Sequence, residues 1–154
     1  MKAIIIDIDG TLSDSSKRVE YVTGEKKEWK MFYAGMEDDS VNEWCRGIVN
    51  LYHGLPYVRV VLMTGRPNKY REATERWLSK HNIPYDGLLM RQEKDMRPDF
   101  EVKKDLYYNE MLPHLEGWSN DKVEVIFAID DRQQVIDMWR SIGIPALQCA
   151  KGDF

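Results

Sequence analysis

The chain opens on a short apolar run, Lys2–Ile8, which stops at Gly10 and reads as a buried strand. Ser13–Ser40 has no such run. It is polar, rich in Lys and Glu, with aromatics at Tyr21, Trp29, Phe32 and Tyr33, and it reads as an insertion of loop and one short helix. Apolar residues then recur at helical spacing from Val41 to His53 (Val41, Trp44, Cys45, Ile48, Leu51, Tyr52), with Ser40 as candidate N-cap and Gly54 as stop. Tyr57–Met63 is a second strand and leads into Thr64-Gly65-Arg66-Pro67. Asn68 is a candidate cap for a helix from Lys69 to about Lys80, which Ile83-Pro84 ends. Gly87–Met90 is a third strand, Arg91–Pro98 a charged loop, and Asp99 opens a helix through Val102, Leu106 and Met111 towards Pro113. After a turn at Trp118–Lys122, Val123–Ile129 is a fourth strand that delivers Asp130-Asp131-Arg132. Gln133–Ser141 is a helix carrying Val135, Ile136 and Trp139, Gly143 ends it, and Pro145–Cys149 is a short fifth strand.

Strands that alternate with helices predict an α/β fold, a Rossmann-like parallel sheet with helices on both faces. At 154 residues the length is that of a single domain, residues 1–154, with the insertion over roughly 13–53. Ligands of such folds bind at the carboxyl ends of strands, near the point where strand order reverses. The chemistry-bearing residues all follow strands here: Asp7 and Asp9 the first, Thr64 the second, Asp130 and Asp131 the fourth.

Composition narrows the partners. A net charge of −4 gives no general basic surface for duplex phosphate backbones. Nothing approaches a membrane span, and the apolar start is too short for a signal peptide and opens into acidic residues. Cys45 and Cys149 lack metal-type spacing and read as thiols in a reducing compartment. The expectation is a cytoplasmic protein with no membrane partner.

Two carboxylates one residue apart at a strand end suit metal-assisted phosphoryl transfer, which needs a nucleophile, charge neutralisation and an acid for the leaving oxygen. Asp7 fits a nucleophile that forms an aspartyl-phosphate. Asp9 fits a proton shuttle. Asp7, Asp9, Asp130 and Asp131 form an oxygen-rich set suited to Mg²⁺. Thr64 offers a hydroxyl and a backbone N–H to phosphate, and Lys103 can balance charge on Asp7. Each residue has a plainer role as a turn, cap or solvated helix face; the shared strand-end placement favours a site.

The order Asp7-x-Asp9-Gly10-Thr11, then Thr64, then Lys103, then Asp130-Asp131 resembles the four motifs of the haloacid-dehalogenase-like phosphatase superfamily. The resemblance implies a Rossmann-like sheet, a required Mg²⁺, an aspartyl-phosphate mechanism and a small helical cap inserted after the first strand. The stretch from Ala128 to Gly143 and the ending Gly152-Asp153-Phe154 look like the 3′-phosphatase half of phage polynucleotide kinase/phosphatase. That likeness implies functional arginines at Arg18, Arg66 and Arg91, and phosphate or substrate binding by Thr64, Gly65, Arg66, Arg18 and Arg91. It also implies that Asp131 is the direct metal ligand, with Asp7 and the Asp9 carbonyl, and that Asp130 is a second ligand or orients Lys103.

The chain has no Gly-x-x-x-x-Gly-Lys-Ser/Thr segment, so 5′-kinase activity is not expected. The expected function is a Mg²⁺-dependent phosphomonoesterase that removes a 3′-phosphate from DNA or RNA ends or from nucleotides. A phosphatase for small nucleotides or sugar phosphates and a non-catalytic phosphate-binding module remain as alternatives. A separate kinase or ligase partner stays open, as does a host-cell cytoplasmic location for a phage-encoded protein. Lys26, Lys27, Trp29 and Lys30 form a basic-aromatic cluster that reads either as a nucleotide contact or as an amphipathic lid.

Overall fold

The computed structural model describes residues 1–152, so Asp153 and Phe154 of the Gly-Asp-Phe ending lie outside the described residues. In chain order the elements are β1 (Lys2–Ile6), β2 (Ser13–Asp14), α1 (Glu20–Thr23), α2 (Trp29–Ala34), β3 (Ser40–Val41), α3 (Glu43–His53), β4 (Val58–Pro67), α4 (Arg71–Lys80), β5 (Gly87–Arg91), α5 (Asp99–Leu106), α6 (Leu112–Ser119), β6 (Glu124–Asp130), α7 (Gln133–Ser141) and β7 (Ala146–Gln148). The main sheet has the order β5-β4-β1-β6-β7, and every pair in it is parallel. β2 and β3 form a separate antiparallel ladder.

Alternation along the central strands explains the continuous apolar run in β1. Ala3 and Ile5 pack with Val102 and Leu106 of α5, Leu115 of α6 and Val135, Ile136 and Trp139 of α7. Ile4 and Ile6 face the other way, onto Cys45 and Val49 of α3 and Trp77 and Leu78 of α4. Both faces of the strand are therefore dry, as a central parallel strand requires. The chain runs from β1 through β4 to β5 on one side, then crosses to β6 and β7 on the other. The reversal of strand order falls between β1 and β6, and Asp7 and Asp130 stand there.

The strand-and-helix framework agrees with the alternation, and the departures have local causes. Ser13–Ser40 holds two short helices rather than one, gathered on a separate small core of Val22, Phe32 and Tyr33. Ser40 pairs with Asp14 in the β2–β3 ladder and does not cap α3, which begins at Glu43 after Asn42. The Asn42 amide instead donates to the Thr11 carbonyl at 2.8 Å, tying the insertion to the first loop. β4 runs on through Thr64 to Pro67. A 3₁₀ turn at Asn68–Tyr70 precedes α4, and Asn68 accepts from Arg71 rather than capping. Pro113 does not end its helix. The backbone widens to a π turn over Tyr107–Met111, which accommodates the missing N–H, and resumes as α6 with Pro113 in its first turn. No described helix is long and apolar enough to cross a membrane.

Candidate active site

β1 ends by handing the Asp7 N–H to the Ile129 carbonyl of β6 at 3.0 Å, so the last rung of the sheet fixes the Asp7 backbone. The chain then turns back, with Thr11 N–H and Ser13 N–H both donating to the Ile8 carbonyl. Gly10 makes this turn at φ 81°, and a Cβ there would strike the Asp131 carboxylate. The Asp-x-Asp-Gly-Thr order thus reflects a tight turn pressed against the end of β6.

Lys103, on α5 and almost wholly buried, donates its ammonium to Asp7 Oδ1 at 2.7 Å and to Asp130 Oδ2 at 2.6 Å, and lies 3.2 Å from Asp99 Oδ2. The Thr11 hydroxyl donates to Asp7 Oδ2 at 3.1 Å. Asp130 Oδ1 accepts the Arg132 N–H at 3.0 Å. Burial would lower the Lys103 pKa, but the carboxylates of Asp130, Asp7 and Asp99 raise it well above the lysine range. Burial, then the charge of Asp130, pushes Asp7 well above the carboxylate range, against the pull of Lys103. Asp130 is raised by its burial, and Asp131 is raised to about 7 by burial and then by Asp130.

Ligand oxygens of Asp7, Asp130 and Asp131 lie within 4.8 Å of one another. These buried carboxylates share one ammonium, which leaves an uncompensated negative charge. Asp131 Oδ1 is buried without a hydrogen-bond partner among the described residues. An orphaned carboxylate oxygen is costly unless something outside the protein uses it. An all-oxygen cluster with excess negative charge fits a hard divalent cation such as Mg²⁺.

Asp9 lies two residues beyond Asp7, in a different field. Its Oδ1 accepts from Arg18 at 2.7 Å and from Arg66 at 2.8 Å, and its Oδ2 from Arg66 Nε at 2.9 Å. Burial opposes ionisation, but the guanidiniums of Arg66 and then Arg18 outweigh it and hold Asp9 at about 2. Both arginines are buried and have further partners. Arg66 donates to the Thr74 hydroxyl, and Arg18 to the Phe32 carbonyl and the carboxylate of Asp39. The side chain of Asp9 is therefore outside the metal-ligand cluster, and the structure places Arg18 and Arg66 on Asp9. Thr64 is buried, its hydroxyl accepting the Arg66 N–H at 3.2 Å. Gly65 lines the groove and is half-buried, and a Cβ there would strike Asp99. Arg91 braces the loop that follows it, donating to the carbonyls of Gly65, Asp95 and Arg97.

Two residues of this network went unread in the sequence. Asp39 completes the Arg18 clamp from 21 residues away and has no local signature. Asp99 had one, since it stands one helical turn before Lys103. Asp7 and Asp9 open into a groove of about 1010 Å³. One wall is the insertion with Lys27, Trp29, Lys30 and Tyr33, joined by Lys69 and Tyr70; the other is the Gln92–Pro98 loop.

The family model for the polynucleotide kinase PNKP phosphatase domain matches residues 1–154. A chain of the solved Pnkp1/Rnl/Hen1 complex is 37% identical, with a TM-score of 0.80 over 99% of this chain and 46% of that one. A second structure, of the Pnkp1/Rnl/Hen1 RNA repair complex, gives 36% identity and a TM-score of 0.77, covering 99% of this chain and 43% of that one. A putative bifunctional polynucleotide kinase/RNA ligase of Autographa californica nuclear polyhedrosis virus is 25% identical over 150 residues, 95% of this chain and 19% of that protein. The chain thus spans less than half of the solved chains and about a fifth of the viral protein.

Proposed function

Because the chain belongs to the family of polynucleotide kinase PNKP phosphatase domains and is a phosphatase of the haloacid-dehalogenase-like type, we propose that it removes 3′-phosphates from polynucleotide ends or nucleotides. The observation that carries the reading is the contrast within one turn of chain. Asp7 faces an ammonium, a hydroxyl and two further carboxylates, while Asp9 faces two guanidiniums. Neighbouring acids with opposite environments are the usual mark of divided roles.

Asp7 attacks phosphorus, the bond to the leaving sugar oxygen breaks, and Asp9 gives that oxygen a proton. Water then attacks the aspartyl-phosphate, Asp9 takes the water's proton, and phosphate leaves with Asp7 restored. Asp9 rests ionised in its clamp, the form required in the second half. The dianionic phosphate beside it raises its pKa and competes for the guanidiniums, so that on substrate binding Asp9 takes a proton from solvent and delivers it in the first half. Thr64, Gly65, Arg18, Arg66 and Arg91 bind or frame the phosphate, the first two arginines chiefly by fixing Asp9. Asp131, Asp7, Asp130 and the Asp9 carbonyl are the groups that would hold Mg²⁺. A bound Mg²⁺ supplies charge neutralisation for Asp7 and for the phosphoryl oxygens. Lys103 keeps Asp7 and Asp130 in place and screens their repulsion.

The open groove and its lysines favour a polymer end over a sealed small-molecule pocket. Nucleic-acid repair beside a kinase or ligase is the setting that the RNA repair complex and the viral protein suggest. The test compares kcat/KM for a 3′-phosphorylated oligonucleotide, a 3′-mononucleotide and a sugar phosphate with Mg²⁺. The oligonucleotide is expected to lead; parity with the sugar phosphate sinks the polynucleotide reading.

A further inference from the structure

Three rings on the insertion side of the groove have no role in the chemistry above. Tyr33 is the middle one. Its hydroxyl sits 3.5 Å from the Gly65 carbonyl, so it starts at the phosphate-binding turn. The Trp29 ring stacks beside it at 6.0 Å and 23° between planes, and Tyr70, from the turn before α4, lies on it at 4.8 Å and 34°. Trp29 and Tyr33 stand one turn apart on α2 and Tyr70 comes from a remote turn, yet the three form one row along the groove that opens at Asp7. Phe32 behaves differently. It stands edge-on to Trp29 at 88°, buried on the core of the insertion. Trp29 and Tyr70 pack against that core from outside and cover Tyr33 between them, yet both remain half-buried in the groove wall.

Cations border the row. The Lys27 ammonium lies 5.7 Å from the Trp29 ring centre and the Lys69 ammonium 5.2 Å from that of Tyr70, with Lys30 on the same wall. Flat rings with a fringe of lysines are how proteins hold single-stranded nucleic acid: bases stack while the backbone meets positive charge. A sugar phosphate has no flat face to offer such a row.

Resting on the 3′-phosphatase reading, we propose that Trp29 and Tyr70, braced by the buried Tyr33 between them, form a stacking platform for the base of the terminal nucleotide, so that the preferred substrate is an unpaired 3′-phosphorylated end. An aromatic face serves every base, so the preference is for an unpaired base over a paired one, not for a sequence. The lysines take the phosphates upstream of the end.

The test is an internal ratio, which a partly unfolded variant does not distort. Two single-stranded oligonucleotides carry the same 3′-phosphate, one on a normal nucleotide and one on an abasic sugar. Wild-type protein with Mg²⁺ is expected to favour the base-bearing end by about ten- to a hundredfold in kcat/KM, mostly through KM. Trp29→Leu, which keeps apolar bulk but not the flat face, is expected to bring the ratio near one, and Trp29→Phe to keep most of it. A wild-type ratio near one, or a Leu variant that keeps the preference, overturns the platform and leaves the 3′-phosphatase reading standing. Wild-type protein that hydrolyses a chromogenic phosphate ester but neither oligonucleotide overturns that reading, and the platform with it.

Discussion

At the sheet edge, Asp7, Lys103, Asp130 and Asp131 sit on or next to regular elements, and hydrophobic layers on both faces fix the backbones that carry them. In the insertion, Arg18 and Asp39 reach the same centre from turns that flank two helices of four and six residues, over a core of a few side chains. The first region crowds like charges into a cluster able to coordinate a cation. The second pairs its charges fully and so is complete as it stands. The lesson is a division of labour: the sheet carries the crowded acids and their lysine, Arg66 of β4 and Arg18 of the insertion together set the state of Asp9, and the insertion walls the groove.

The largest effect should come from the sheet edge. Asp7→Asn keeps the shape and partners of the side chain but removes the nucleophile, and a loss on the order of a thousandfold or more in kcat is expected. Turnover of a chromogenic phosphate ester, with near-wild-type circular dichroism as the fold control, measures it. An undiminished rate would falsify the aspartyl-phosphate route.

Asp39→Asn probes the other side of the comparison. It weakens the partner that orients Arg18, and a loss of about ten- to a hundredfold is expected, in kcat rather than KM, since Asp39 acts through Arg18 on Asp9. Loss confined to KM would instead mean that Arg18 binds substrate phosphate directly and that the clamp on Asp9 is incidental.

The same contrast governs what could be read in advance. The strand-end acids announce themselves because an apolar run that ends in carboxylates has no core explanation, and α7 follows from the spacing of Val135, Ile136 and Trp139. The roles of Arg18 and Arg66 were harder. Their positions match a family pattern, but that their donors go to Asp9 depends on contacts spanning 9 and 57 residues. Asp39 and Tyr70 lack any local pattern, because the groups they meet come from remote turns. The second short helix was hidden because its apolar residues serve a small core of their own, too short for a clear period.

Metal removal tests the charge imbalance. Asp131 is raised to about 7 from an ordinary value near 3.8, and Asp7 is raised too. An acid whose folded pKa is raised holds its proton more tightly in the folded state, so stability falls as pH rises from about 4 to about 7. Chelator-treated protein is therefore expected to melt a few degrees higher near pH 5.5 than near pH 8. Saturating Mg²⁺ should raise the melting temperature most at the higher pH and flatten the trend. Asp9 has the opposite sign. Its lowered pKa gives stability that is present above about pH 4 and lost only as pH falls through about 2. A chelated protein with no dependence between pH 5.5 and 8 would mean that the acid cluster is neutralised from within and needs no cation.

The smallest effect concerns how far the two regions fold as one. Residues 36–42 are tied down by the Trp77 indole on the Asp39 carbonyl, the Arg76–Glu37 pair and the Asn42–Thr11 bond. Residues 19–34 reach the body chiefly through Arg18 and the Tyr33–Tyr70 contact, and their own core rests on Val22 and Phe32. Val22→Ala removes apolar bulk from that core at a cost of about 1–2 kcal/mol. A cost felt by the whole domain lowers the melting temperature by about 2–4 °C per kcal/mol. A cost felt only by the insertion leaves the melt in place and speeds amide exchange between residues 19 and 34. The second outcome is expected, because the layers that hold β1, β4 and β6 do not include Val22. A full melting shift with unchanged local exchange would show that the insertion and the sheet are one cooperative unit, and that the Asp9 clamp is as rigid as the acid cluster beside it.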